Sequence, residues 1–256
     1  MSLLVLIPLG IILTFSAFAL LETIRPGRAF PEVPRWRLKG AFFLVFGFAL
    51  TSVVPPLWEP YLAQFRLIDA TGLGTWWGAL FAFLVLELGM YAWHRTMHGS
   101  SFLFRTLHQM HHSAERIDVW GALYFHPFDL IGFSFVYSVA LIVVAGVTAE
   151  AALIANLTAT FCSLFQHSNI RTPRWLGYIV QRPESHSLHH QRGVHGYNYS
   201  DLPLWDLVFG TFRNPERWDA QAGYYDGASA RIPAMLIGLD VSKEPAPAAA
   251  RTAAAA

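Results

Sequence analysis

The chain has 256 residues and a formal net charge of +1; apolar residues make up 54% of it against 14% charged, and its mean hydropathy is positive. A nearly neutral sequence carries no basic field of the kind nucleic acids require, and a single cysteine, Cys162, excludes an intramolecular disulfide and any CxxC zinc or redox site. The apolar excess is that of a membrane protein.

Taken from the N-terminus, stretches 3–21, 41–58 and 75–93 are long enough to cross about 30 Å of hydrocarbon, the third containing one acid, Glu87. The first reads as a retained anchor rather than a signal peptide. Ala17 and Ala19 make an A-x-A pattern, but Met1, Ser2 and Leu3 supply no basic leader. A fourth stretch, 130–149, and a shorter fifth, 151–166, flank Glu150 and predict a tight hairpin. The expected architecture is an all-α integral membrane protein of four to five hydrophobic helices carrying a cytoplasmic, histidine-rich cap. Orientation follows from Arg25, Arg28, Arg35, Arg37 and Lys39 in the loop 22–39, since the loop after the second span has only Arg66. That places the first loop in the cytoplasm, at the inner membrane if the source is bacterial.

Beyond Arg171 the chain turns polar and rich in Arg, Tyr and Trp, as expected for a cap lying on the membrane surface. Residues 241–256 are Ala-rich without apolar periodicity and are expected to be disordered. The domain reading is N-terminal membrane helices 1–74, a central unit 75–215, an extension 216–240 and the tail. No nucleotide-binding glycine fingerprint is present, so reducing electrons would come from another protein.

The chemistry lies in three histidine boxes, HRTMH at 94–98, HQMHH at 108–112 and HSLHH at 186–190, which hold eight of the eleven histidines. Spacings of three and four put imidazoles on one face of a helix. Eight donors exceed the four of one tetrahedral ion, so two ions are expected. Adjacent residues diverge by about 100°, which lets a pair such as His111 and His112 serve two ions or splay across one wide site. A lone histidine is more often a core residue than a ligand; three boxes in one chain reverse that expectation. A first shell of imidazoles without thiolate suits redox iron better than structural zinc, although zinc would satisfy the same ligands in a purified sample. By the span count, all three boxes fall on the cytoplasmic side.

At WHRTMH, LHQMHHS, FHPFD, QHSN and ESHSLHH followed by NYSDLPLWDLVFGTF, the sequence resembles the fatty acid hydroxylase superfamily. These are membrane di-iron enzymes that include sterol C-5 desaturases, C-4 methylsterol oxidases, alkylglycerol monooxygenase and carotenoid hydroxylases. The match runs from about Glu87 to Asn214. Carried over by position, it implies metal ligation by His94, His98, His108, His111, His112, His186, His189 and His190. It adds His167 and His126, where relatives often keep a histidine, though His126 before Pro127 equally suits a helix start. His195 reads as a loop residue. Carboxylates that orient ligand imidazoles through their second N–H are sought in Glu87, Glu115, Asp129 and Glu184, while Asp206 is expected to brace the fold.

The implied function is an O2-dependent, non-haem di-iron membrane oxidoreductase that hydroxylates or desaturates a sterol, fatty acyl or related lipid. Its electrons would come from a ferredoxin- or cytochrome-type donor. The alternative is a histidine-rich metal transporter or a metal-binding protein without oxygenase activity. A transporter's ligands belong within the spans near the bilayer midplane, whereas here the boxes follow the spans. A haem-binding electron carrier would leave the adjacent histidine pairs unexplained.

Overall fold

The computed structural model describes residues 3–245, with side chains from Leu9 onward. Among the described residues the protein is helical, its one β-contact being an isolated antiparallel bridge between Gln191 and Ala222. Helix α1 is Leu3–Ile24, α2 Trp36–Val53 and α3 Gly74–Gly99; α4 covers residues 101–112, α5 residues 127–145, and α6 is Ala149–His167. Three short helices follow: α7, Pro183–His189; α8, Pro203–Val208; and α9, Ile232–Leu236.

Trp36–Leu57, Thr71–Gly99 and Pro127–Ala145 are long and apolar enough to cross a membrane, and Leu9–Ile24 is a shorter apolar helix. The fifth expected stretch forms α6, which does not reach the same apolarity because Glu150, Asn156 and Gln166 interrupt it. At ~1.5 Å per residue α3 is about 39 Å long, more than about 30 Å of hydrocarbon, and His94 and His98 lie in its C-terminal turns.

Helix ends obey local chemistry. Helix α5 starts at Pro127, with His126 as N-cap accepting the Phe128 N–H and Asp129 in the first turn. It closes through a π-helical stretch, Val139–Ala145, onto Gly146 at φ 55. A side chain at Gly146 would run into the Ile68 carbonyl. Thr148 then caps α6. Ser100 caps α4, whose middle, Phe104–His108, is also π-helical.

Packing brings these elements into one body. Ala82, Phe83 and Leu86 of α3 meet Ala140, Leu141 and Ala145 of α5 and Ala155, Ala159 and Cys162 of α6. The small side chains let the backbones approach closely, as association within lipid requires. Cys162 is buried in this cluster, as expected for a small apolar residue. Helix α1 lays Phe15 and Phe18 on Leu164 and Phe165. Its buried Glu22 accepts backbone N–H groups from Val119 and Asn169. A third cluster joins Trp36 and Phe43 of α2, Met110 of α4 and Tyr124 to Tyr225, Met235 and Val241. Val241 is therefore part of the core, its N–H bonded to Gln109 Oε1 at 3.1 Å, a correction to a tail expected to be loose from 241. The rest of that tail, 246–256, lies outside the described residues.

Gly40 sets the distance between α2 and the 119–121 turn, because a Cβ there would overlap the Trp120 carbonyl. Gly40→Val is expected to cost about 1–3 kcal/mol by overpacking and to lower the thermal midpoint of the detergent-solubilised protein. A midpoint equal to the parent's would show that α2 does not pack this closely.

Candidate metal centre

Four separate elements deliver the imidazoles. Helix α3 ends with His94 and His98, α4 with His108, His111 and His112, α6 with His167, and α7 carries His186 and His189 with His190 immediately after. They converge as two groups whose ring nitrogens lie within 4.8 Å of one another: His94, His98, His108, His112 and His189, and His111, His167, His186 and His190. Both adjacent pairs divide between the groups. His112 and His189 enter the first and His111 and His190 the second, as a 100° divergence along a helix dictates.

Hydrogen bonds fix the tautomers of four rings. His94 Nδ1–H donates to the Tyr199 carbonyl at 2.7 Å, His108 Nδ1–H to Asp129 at 2.7 Å, His189 Nδ1–H to the Tyr197 carbonyl at 2.8 Å, and His167 Nδ1–H to the Ser163 carbonyl at 2.7 Å. A neutral imidazole protonated at Nδ1 presents a bare lone pair at Nε2. Between His94 and His108 two such lone pairs face each other at 2.9 Å, and the Nε2 atoms of His111 and His167 stand 3.1 Å apart, with His186 Nε2 at 3.0 Å from both His167 and His190. His189 Nε2, His112 Nε2 and both nitrogens of His98 have no protein hydrogen-bond partner. Converging, buried, unshared lone pairs are costly unless a cation accepts them. The residues present therefore fit metal ions, and an all-imidazole set suits iron, zinc, copper or nickel.

Protonation offers no escape. Burial, and after it the neighbouring imidazoles, push His111, His112, His186 and His190 well below the ordinary imidazole range. Burial takes His189 down to about 3 against the opposing bond to Tyr197. Aromatic rings wall the groups off from water: Phe125 stacks on His111 at 4.0 Å, Phe104 packs on His98 and His112, and Phe133 packs on His94 and His108.

Of the four carboxylates expected to orient imidazoles, Asp129 does so. The other three fasten backbone instead. Glu87 accepts the N–H groups of Asp201 at 2.8 Å and Leu202 at 3.1 Å. Glu115 accepts those of Gly227 and Ser229. Glu184 holds the N–H and hydroxyl of Thr172 and pairs with Arg182. Each directs its hydrogen bonds to loop donors, not to a ring. His126 lies outside both groups: its Nδ1 accepts the Phe128 N–H and its Nε2–H donates to the Leu236 carbonyl, so both nitrogens are taken by the start of α5 and by α9. His195 is also outside them, packed on Phe104. Asp206 braces the 199–211 loop through the N–H groups of Tyr199 and Ser200 and the Thr211 hydroxyl.

The sequence reading missed residues 197–199. Tyr197 and Asn198 stand at φ 72 and φ 55, a left-handed pair costing about 1–2 kcal/mol per residue. The pair turns the Tyr197 and Tyr199 carbonyls onto His189 and His94. Asn198 holds it there, donating to the Ser185 and Arg213 carbonyls and accepting the Arg213 N–H. An Asn close behind the third box was the one available signal, since Asn tolerates this backbone better than most residues.

The chain belongs to the fatty acid hydroxylase family, whose signature matches residues 79–211. It is 29% identical over 135 residues to sphinganine C4-monooxygenase 1 of Arabidopsis thaliana, covering 51% of this chain and 52% of the relative. It is 31% identical over 173 residues to sphingolipid C4-hydroxylase sur2 of Schizosaccharomyces pombe, covering 66% and 56%. It is 28% identical over 150 residues to Delta(7)-sterol-C5(6)-desaturase of Nicotiana tabacum, covering 54% and 50%. The chain thus spans about half the length of the curated relatives it matches. No solved structure matches it.

Asn198→Ala is expected to weaken metal binding by the five-histidine group about 10- to 100-fold and binding by the four-histidine group less. Titration of metal-free protein reads this as one weakened phase of two, and two unaltered phases would remove the loop from ligand positioning. Acid should also destabilise the metal-free protein. An unfolded imidazole takes a proton near the ordinary 6.5, whereas His189 in the fold resists to about 3. Across that window the unfolded chain binds more protons, so stability is complete above it and falls with pH. Thermal midpoints flat between pH 7 and pH about 4 would contradict the burial of neutral rings.

Proposed function

We propose that the protein is an O2-dependent membrane oxidoreductase that hydroxylates or desaturates a lipid, with two iron ions as its resident cofactor. The observation that carries this reading is the convergence of nine imidazoles, five and four, six of them with Nε2 directly against another ring's Nε2. In it, His94, His98, His108, His112 and His189 hold one ion and His111, His167, His186 and His190 the other. Iron bound there supplies the redox chemistry that dioxygen needs to attack an unactivated C–H bond. Hydroxylation consumes one dioxygen, two electrons and two protons per alcohol, releasing one water; desaturation consumes the same and releases two waters per alkene. The electrons come from a separate ferredoxin- or cytochrome-type protein.

The chain's own part is to orient and to exclude. Asp129 and the carbonyls of Tyr197, Tyr199 and Ser163 hold four rings by their far nitrogens, which fixes the tautomer and raises donor strength. Phe104, Phe125 and Phe133 keep water from the rings, and the ends of α3 and α5 set the centre beside the bilayer, where an apolar substrate resides. The relatives named above act, by their names, on sphinganine, a sphingolipid and a sterol, which supports a lipid substrate. The basic loop 22–39 supports a cytoplasmic position for the centre. In this arrangement residues 75–215 form the oxidative unit, 1–74 its membrane support and 216–240 an extension packed on it.

The test is reconstitution of the full chain in lipid nanodiscs with iron, reduced ferredoxin and its reductase, and dioxygen, followed by mass spectrometry of extracted lipids. A gain of one oxygen atom or a loss of two hydrogens, dependent on dioxygen, is expected in one lipid class. No such change in sphingolipids, sterols or acyl lipids would sink the proposal. His111→Ala and His189→Ala should each lower bound metal, and unchanged metal content would take those residues out of the centre.

A further inference from the structure

A second feature lies away from the histidines, on the bilayer side of α2. A groove of about 770 Å³ runs between α2 and α9, its walls formed by Leu38, Phe42, Phe43, Phe46, Ile232 and Leu236. Leu38 and Phe42 are 67% and 60% exposed, an apolar surface that belongs in contact with acyl chains because α2 is part of a membrane-crossing stretch. One end of the same groove is lined by Arg35 and Lys39. Arg35 immediately precedes α2 and Lys39 lies in its first turn, so both cations come from the start of the helix. Neither is in a salt bridge among the described residues.

Two features make this charge placement unfavourable for the protein alone. Arg35 occupies φ 57, ψ 26, a left-handed backbone that favours glycine, yet the position carries a long cation. Arg35, Arg37 and Lys39 also crowd the N-terminal end of α2, which has no acid in its first turn and no side-chain cap, so the helix dipole opposes all three. Arg37 lies over the Trp120 ring and does not line the groove, which leaves Arg35 and Lys39 facing the same space. An anion at that end would offset the electrostatic penalty. The apolar walls beyond it reject a free hydrated anion and accept hydrocarbon.

We infer that this groove binds one anionic phospholipid of the surrounding bilayer, its phosphate between Arg35 and Lys39 and an acyl chain along Phe42 and Phe46. The lipid is bound by a surface separate from the histidine groups, so the inference stands or falls apart from the proposed oxidation. A protein that retains the lipid but oxidises nothing satisfies it, and an active protein with no lipid preference does not.

The experiment uses the full chain purified in mild detergent, exposed to equal amounts of dioleoyl phosphatidylglycerol and dioleoyl phosphatidylcholine, and read by native mass spectrometry. The wild type is expected to retain one phosphatidylglycerol in clear preference to phosphatidylcholine, and equal retention of the two overturns the site. The double variant Arg35→Gln, Lys39→Gln should lower that preference roughly 30-fold, a factor of five to six for each cation. Arg37→Gln should leave it unchanged, and an equal loss in this control would mean that surface charge alone attracts the lipid. Should the double variant not fold, Lys39→Gln alone carries the same sign, and full retention in that folded protein overturns the assignment. Excess inorganic phosphate should fail to displace the lipid; displacement would mark a simple anion site instead.

Discussion

Burying nine imidazoles around two points is the constraint on which the rest of the structure depends. His94, His108, His167 and His189 each have one nitrogen satisfied by protein and the other turned toward the groups, and burial holds His111, His112, His186, His189 and His190 neutral. Folding this sequence therefore gathers repulsive lone pairs in a dry space, an arrangement stable only with cations or with strong support from outside. The helices around the centre supply that support. The close packing of α3, α5 and α6 through alanines fixes the ends of helices that carry His94, His98 and His167.

The helical turn Gln109–His112 distributes the second box. His108 and His112 join one group and His111 the other, while Gln109, between them, ties α4 to the C-terminal extension through the Leu239 carbonyl and the Val241 N–H. The π-helical stretch Phe104–His108 just ahead changes the phase at which the following turn leaves the axis, and such stretches occur often at functional sites. The extension thereby becomes part of the support for the second box, since Tyr224 also donates to the Gln109 carbonyl.

Much of this was legible in the sequence because its signals were short-range. Hydropathy marked the crossing helices, and the three- and four-residue spacing of the boxes marked shared helix faces and divided pairs. Val241 was misjudged because an Ala-rich composition hides a single apolar anchor. The roles of Glu87, Glu115 and Glu184 could not be read, since an acid near a histidine in sequence is not thereby near its ring. Their partners are backbone N–H groups, which every residue carries and no motif records. The same holds for Tyr197 and Tyr199, which act through carbonyls that any residue would offer, so the bond to His94 leaves no mark on side-chain identity.

Those buried acids and carbonyls work together. Glu87 sits two turns before His94 on α3 and grips the N–H groups of Asp201 and Leu202, while His94 itself grips the carbonyl of Tyr199. One helix thus holds one loop at two points, and Asp206 takes the remaining N–H groups of Tyr199 and Ser200. An acid at Glu87 is expensive in an apolar helix, but its removal would free the loop that orients His94 and His189. Membrane helices and surface cap are therefore joined through the metal-facing rings themselves: the same bonds that set the donor nitrogens also hold the cap against the bundle.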